Sequence, residues 1–196
     1  MVKRFLDFII SLIALLLLLP LFFILWMAVK MDSSGPAFFL HERVGKNGKP
    51  FLLIKFRTMF MGSQHQSVIT VGQRDSRITK VGFILRKYKM DELPQLYNVL
   101  KGDMSLVGPR PEVKKFVDLY SAEQRMVLSV LPGITDYASI KFRNENALLE
   151  NQPDPIDYYI THIMPVKLQL NLKYIREQSL GVDLSILIKT IFAIVK

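Results

Sequence analysis

The 196-residue chain contains no cysteine, which excludes disulfides, thiolate nucleophiles, iron–sulfur clusters and every zinc site built on Cys. Histidine is scarce. His41, His65 and His162 are the only three, and none stands four residues from another or in a cluster, so neither a zinc site nor a Ser-His-Asp triad is supported. No Walker loop, dinucleotide fingerprint, repeat or low-complexity tract is present. Acidic residues are outnumbered 26 to 17 by Lys and Arg, giving a formal charge of +9. That balance excludes an acidic disordered chain and points to an anionic partner: a membrane surface, a phosphorylated substrate or nucleic acid. Nucleic acid is the weakest of these, because no recognisable module occurs and the basic residues do not interleave with aromatics. The chemistry must come from oxygen and nitrogen groups.

What the sequence does have is a long apolar run. Between Asp7 and Lys30 no charged residue occurs, and positions 8–29 are almost all Leu, Ile, Phe, Ala or Val. At ~1.5 Å per residue such a helix matches the roughly 30 Å hydrocarbon layer. It is longer than the ~7–15-residue apolar region of a signal peptide and ends in Trp26, Met27 and Lys30 without a small-residue cleavage site. Lys3 and Arg4 flank one side and Lys30, Arg43, Lys46 and Lys49 the other. A plain crossing leaves one basic flank on the wrong side of the membrane. Pro20 predicts a sharp bend, since a proline inside a helix removes a hydrogen bond and collides with the carbonyl four residues back. A bent re-entrant helix with both ends in the cytoplasm satisfies both flanks.

The expected fold is α+β and mostly helical, with a membrane anchor over 1–32 and a small catalytic domain over 33–196. Turn residues at Ser33 to Pro36 and Gly45 to Pro50 separate apolar runs near Phe38 to Leu40 and Phe51 to Phe56, which predicts a hairpin. The stretch Gly62 to Thr79 reads as a surface loop. Leu93, Leu96, Tyr97 and Leu100 recur at helical spacing, with Asp91 as N-cap, Pro94 in the first turn and Gly102 just past the end. Val113, Phe116, Val117 and Tyr120 suggest another helix, Ser121 and Gln124 have capping-box spacing, and Pro165 opens a helix towards Glu177. At the C-terminus, Leu184, Leu187, Ile188, Ile191 and Val195 form an apolar face suited either to the core or to lying flat at a membrane interface.

Among groups that can carry chemistry, Asp91-Glu92 stands out because Arg86, Lys87 and Lys89 precede it. Taken alone the pair is a helix cap. With cations nearby it becomes a place where phosphates and a Mg²⁺ ion meet carboxylates. Arg110, held between Pro109 and Pro111, suits a guanidinium that must meet a phosphate or a planar base. Lys55, Arg57 and Arg143 are further candidate phosphate ligands, each with a surface salt bridge as its plainer role. A basic membrane adaptor without catalysis is equally compatible with these charges.

The segments Glu42-Arg43-Val44-Gly45, Lys55-Phe56-Arg57-Thr58-Met59, Met90-Asp91-Glu92-Leu93-Pro94-Gln95-Leu96, Lys101-Gly102-Asp103-Met104-Ser105-Leu106-Val107-Gly108-Pro109-Arg110-Pro111 and Pro132-Gly133-Ile134-Thr135 follow the apolar run in this order. Together they resemble the bacterial sugar transferases, the monotopic phosphoglycosyl transferases, in minimal catalytic form. The resemblance covers nearly the whole chain. It implies transfer of a sugar 1-phosphate from a UDP-sugar to polyprenol (undecaprenyl) phosphate at the cytoplasmic face of a bacterial inner membrane, releasing UMP and starting glycoconjugate or polysaccharide synthesis. It also implies Asp91 as nucleophile forming an acyl-phosphate sugar intermediate, Glu92 bound to Mg²⁺, Arg86 on phosphate, Arg110 near the nucleotide and Arg143 in a later motif. A direct attack by the lipid phosphate, with the carboxylates serving only the metal, is the alternative chemistry. Two departures stand out: Leu19 precedes Pro20 where some members have Ser, and 136–144 replaces a Gly-Trp-Ala-Gln-Val-Asn-Gly-Arg-Asn segment, which leaves the sugar open. The oligomeric state is open as well, a homo-oligomer being allowed.

Overall fold

A computed structural model describes residues 2–63, 71–72 and 75–195. Half of the expected loop from Gly62 to Thr79, with His65, lies outside the described residues, as does the side chain of Val195. The fold is α+β with helix predominating. Its first element, α1 (Val2–Asp32), is one helix of 31 residues. The second is the antiparallel hairpin of β1 (Phe38–Val44) and β2 (Pro50–Phe56), in which Phe38 pairs with Phe56 and Val44 with Pro50. Asn47, at φ 57°, and Gly48, at φ 76°, make the tight turn between them.

After the hairpin come α2 (Lys80–Lys87), α3 (Gln95–Lys101) and the three-residue strand β3 (Ser105–Val107). Pro94 stands at the N-cap of α3; Gly102, at φ 97°, closes the helix in the left-handed region, as the sequence predicts. Asn98, buried inside α3, accepts from the Ile54 N–H at 3.1 Å and donates to the Leu52 carbonyl at 2.7 Å. A side-chain amide thus binds α3 to the edge of β2 in place of a neighbouring strand.

The short helix α4 (Lys114–Val117) leads to the predicted capping box, where Ser121 N–H donates to Gln124 Oε1 and Gln124 N–H to Ser121 Oγ. That box opens a 3₁₀ turn, Gln124–Ser129, rather than an α-helix. Strand β4 (Gly133–Thr135) then pairs parallel with β3, a pairing the sequence does not announce. Its backbone lies so close to the next turn that a Cβ on Gly133 would stand 2.1 Å from the Gly108 nitrogen. Helices α5 (Tyr137–Lys141), α6 (Glu145–Glu150) and α7 (Pro155–Tyr158) follow. A π-turn at Tyr159–Ile163 runs from α7 into α8 (Met164–Glu177). The chain closes with α9 (Leu180–Val195).

Three apolar clusters support this frame. One gathers Val44, Phe116, Leu149, Tyr159 and Leu168; the second joins Leu53, Val99, Met104, Tyr174 and Ile186; the third sets Leu25 and Val29 of α1 against Phe56 and Leu85. Helix α1 therefore does not stand apart. Lys3, Asp7, Ser11, Leu15, Leu18, Phe22, Leu25 and Val29 recur at three- and four-residue spacing as its covered stripe, as expected for one face of a helix.

Polar contacts tie both ends of α1 to the domain. Asp7 accepts from Ser105 Oγ at 2.7 Å, Lys3 meets Asp183 of α9 at 2.6 Å, and Arg4 donates to the Leu100 carbonyl at 2.9 Å. At the other end Asp32 accepts from the Val81 N–H at 2.9 Å. Helix runs on without interruption through Pro20, where the sequence predicts a bend. Pro20 lies on the uncovered side, and the contacts before and after it hold both halves to one surface.

The opposite face of α1 is apolar and open, with Phe5, Ile13, Leu16, Leu17, Phe23 and Ile24 each at least half exposed. Helix α9 turns most of the predicted apolar face away from the core. Its core side is Asp183, Ile186 and part of Leu187, while Leu184, Ile188, Ile191 and Phe192 are exposed. Asp183 is buried, and Lys3 and the Tyr174 hydroxyl, at 2.7 Å, satisfy it.

Candidate active site

Four segments meet where β2 ends. Lys55 is the penultimate residue of β2, Arg86 lies in the last turn of α2, and Asp91 and Glu92 occupy a single 3₁₀ turn, Met90–Glu92. Arg110 follows β3 by three residues. The turn carrying the carboxylates is entered through Lys89 at φ 56°, a conformation that costs energy in a residue with a Cβ. It aims both carboxylates into the domain. Asp91 is therefore not the cap of α3, contrary to the reading from spacing; that position belongs to Pro94.

Glu92 is fully engaged. Lys55 Nζ donates to its Oε1 at 2.9 Å, Arg110 Nη1 to its Oε2 at 3.0 Å, and Arg110 Nη2 also to Oε1. Burial pushes the Glu92 carboxyl up, but Arg110 and Lys55 together outweigh it and hold the group well below the usual carboxylate range. Asp91 is different. Its side chain is buried and its Oδ1 has no hydrogen-bond partner among the described residues. Burial, with the neighbouring charge of Glu92, raises its carboxyl above the ordinary value against the pull of Lys55 and Arg86. Two adjacent carboxylates are thus driven apart, one a fixed anion in an ion-pair network and the other a basic oxygen without a partner. Such divergence marks groups with separate chemical tasks.

The cations are held as firmly. Arg110 is made a stronger cation chiefly by Glu92; its backbone N–H donates to Asp136 Oδ2 at 3.1 Å, and Asp136 also caps α5 through Ser139 N–H. Arg86 Nε donates to Thr58 Oγ1 at 3.0 Å, and Asp91 is the strongest charge drawing on it. Lys55, lowered by burial, is sustained as a cation first by Glu92. Arg57, expected as a phosphate ligand, does other work. It is buried and donates to the carbonyls of Ser34 at 2.8 Å, Ser33 at 2.6 Å and Val29 at 3.1 Å. Those are carbonyls left open at the end of α1, so Arg57 acts as its C-terminal clamp. Arg143 sits in the turn between α5 and α6 and is not among the groups acting most strongly on Asp91 or Glu92.

Sequence reasoning missed four residues. Arg43, facing Glu112 at 3.8 Å, feels the charges of Arg110 and Glu92. His41, 3.3 Å from Arg43, is brought down to about 4 by burial and by Arg43 and Lys55, so it is neutral at pH 7. Thr58 and Asp136 support the two arginines. Arg43 stands in the Glu-Arg-Val-Gly motif and Thr58 in the Lys-Phe-Arg-Thr-Met motif, and both could have been found there; His41 and Asp136 carry no signal of their own.

Among the described residues no group of three or more His, Asp or Glu side chains could hold a metal. The available ligands are the open oxygen of Asp91 and the shared carboxylate of Glu92. This set fits Mg²⁺ arriving with phosphate oxygens, because that ion commonly uses one or two carboxylates and completes its shell with substrate phosphate and water. It does not fit an all-protein cage.

Comparison with known proteins places the chain among relatives of known reaction. An N-acetylgalactosaminephosphotransferase acting on undecaprenyl phosphate, from Aeromonas hydrophila, is 36% identical over 193 residues, covering 97% of this chain and 43% of that protein. A UDP-glucose:undecaprenyl-phosphate glucose-1-phosphate transferase from Klebsiella pneumoniae is 40% identical, covering 97% of this chain and 39% of that protein. The exopolysaccharide production protein ExoY of Rhizobium meliloti is 34% identical and is covered over 85% of its length. The chain thus spans about two fifths of the first two relatives and most of the third. The family model for bacterial sugar transferases matches residues 1–196, and the chain belongs to that family.

Proposed function

We propose that this protein is a membrane-bound phosphoglycosyl transferase that moves a sugar 1-phosphate from a UDP-sugar to polyprenol phosphate through an aspartyl-phosphosugar intermediate, at the cytoplasmic face of a bacterial inner membrane. The observation that carries the reading is the buried, unpartnered Oδ1 of Asp91 beside a cation-locked Glu92. An unsatisfied buried oxygen is costly in a folded protein and calls for a functional reason. Here it is a nucleophile kept free of competing donors.

In the first step Asp91 Oδ1 attacks the phosphorus next to the sugar. The bond from that phosphorus to the bridging oxygen breaks, its electron pair passes to the departing UMP, and sugar phosphate remains on the carboxylate. In the second step an oxygen of polyprenol phosphate attacks the same phosphorus and returns Asp91 to its free form. Covalent catalysis lets one product leave before the second substrate enters the same cluster. Lys55, Arg86 and Arg110 offset the charge on the phosphates, which act most strongly in such a water-poor setting. Mg²⁺, held by Asp91 and Glu92 with substrate oxygens, would supply further charge neutralisation at the diphosphate. Incubating the protein with UDP-sugars alone tests the reading. UMP release and a sugar-phosphate mass on the peptide containing Asp91 are expected before any lipid is added; UMP release only when lipid is present, with no adduct, favours direct attack.

The anchor reading treats 1–32 as a segment immersed from one side, with 33–196 as the catalytic domain. Contacts at both ends of α1 to one domain support ends on the same side of the membrane, and the open apolar faces of α1 and α9 supply the surface that meets lipid. Substituting Glu for both Ile188 and Ile191, which are exposed, should weaken vesicle binding several-fold and leave the melting temperature nearly unchanged. Glu at Ile186, which has no exposed surface, should unfold the protein. Equal vesicle binding by the double variant would remove α9 from the membrane surface.

A further inference from the structure

We propose that Thr58 is a positioning residue that sets the guanidinium of Arg86 against Asp91, an inference that rests on the phosphate-gripping role given to Arg86. The argument starts from the strand exit. Residues 55–58 send three side chains to three different parts of the molecule: Lys55 to Glu92, Arg57 to the end of α1 and Thr58 to Arg86. Thr58 holds α2 at two points. Its carbonyl accepts from the N–H of Thr79 at 3.0 Å, and Thr79 is the N-cap whose Oγ1 accepts from Gly82 N–H at 3.0 Å. Its hydroxyl accepts from Arg86 Nε, in the last turn of the same helix.

The helix backbone also rests directly on Thr58. A Cβ on Gly82 would lie 2.2 Å from the Thr58 carbonyl oxygen. Thr58 is buried, so water does not compete for its hydroxyl. The consequence is geometric. An arginine on the last turn of an eight-residue helix has several rotatable bonds, and a hydrogen bond to Nε fixes the plane of its guanidinium where no backbone contact could. Lys55 and Arg86 oppose the desolvation of Asp91 together, and both take their positions from the same four residues of chain. Charge placement around the nucleophile is set by one rigid strand exit.

Thr58→Val keeps the shape and removes the acceptor, whereas Thr58→Ser keeps the acceptor. With UDP-sugar and polyprenol phosphate, the Val variant should lose roughly 10–100-fold in kcat, the scale of a small misplacement at a reacting centre, and the Ser variant should recover most of it. In an Arg86→Lys background, which has no Nε–H, Thr58→Val should add no further loss, the non-additivity expected of a coupled pair. A second readout does not need turnover: the Arg86 Nε–H signal should exchange slowly with solvent in the wild-type and Ser proteins and fast in the Val protein. Wild-type turnover by the Val variant, full additivity with Arg86→Lys, or unchanged Nε–H exchange overturns the proposal. If no UDP-sugar yields UMP, the enzymatic reading fails while the exchange measurement still decides the positioning role.

Discussion

Asp91→Asn should abolish turnover and, at the same time, raise the melting temperature. The chemical half follows from the nucleophilic role proposed for Asp91: an amide of the same size cannot form the acyl-phosphate sugar, and a decrease of at least roughly 1,000-fold is expected for removing a group of this kind. The stability half follows from burial. Burial raises the Asp91 carboxyl above its ordinary value of 3.8, so its contribution to stability is fully present below the unfolded value and is lost as pH rises through the native one. At neutral pH the native protein carries a carboxylate that the unfolded chain would carry at less cost, and Asn removes that cost. The variant should melt a few degrees higher than wild type at pH 7, with the gap closing as pH falls towards 4. A variant that melts lower at pH 7, or that still acquires the sugar phosphate, would separate Asp91 from the role given to it.

The second large effect is steric. Gly133→Ala places a methyl group 2.1 Å from the Gly108 nitrogen and 2.5 Å from its oxygen, distances no Cβ tolerates. The neighbour is backbone rather than a flexible side-chain tip, so β3 and β4 must separate. Their separation moves Gly108-Pro109-Arg110, because Gly133 N–H donates to the Pro109 carbonyl and Gly108 N–H to the Thr135 carbonyl, both at 3.0 Å. A loss of about 3 kcal/mol or more, placing it with the severe core defects, should appear as a fall of roughly 6–12 °C in melting temperature. Gly181→Ala is the control: nothing stands within 4 Å of a Cβ there, in the first turn of α9. It should be neutral or slightly stabilising, since Ala is the better helix former. Similar behaviour of the two variants would show that the β3–β4 contact is not tight.

Elements whose signals are local were readable in the sequence. The hairpin, the α3 stop at Gly102 and the Ser121–Gln124 box each depend on residues within one turn of each other, and each appears. The misread features depend on distant partners. Nothing near Asp183 in sequence announces its burial, because its partner Lys3 lies 180 positions away in the chain. Arg57 carries the charge of a phosphate ligand, and only the arrival of α1 shows that three carbonyls consume it. Asp91 looks like a cap until the left-handed Lys89 turns it inward. The site was legible as a set of motifs, with Asp91, Glu92, Arg86, Arg110 and Lys55 brought together from four segments. The support that Thr58 and Asp136 give the arginines was not: the Lys-Phe-Arg-Thr-Met motif includes Thr58 without showing what its hydroxyl holds, and a buried cap looks like any other Asp.

The bond between Lys3 and Asp183 also dictates an order of events during synthesis. Helix α1 is made long before α9, which carries the partner of Lys3. Until α9 has emerged Lys3 lacks that partner, and the clasp at the first turn of α1 closes only then. A chain cut before residue 180 would keep α1 but lose the clasp, and would show whether α1 settles against the domain without it.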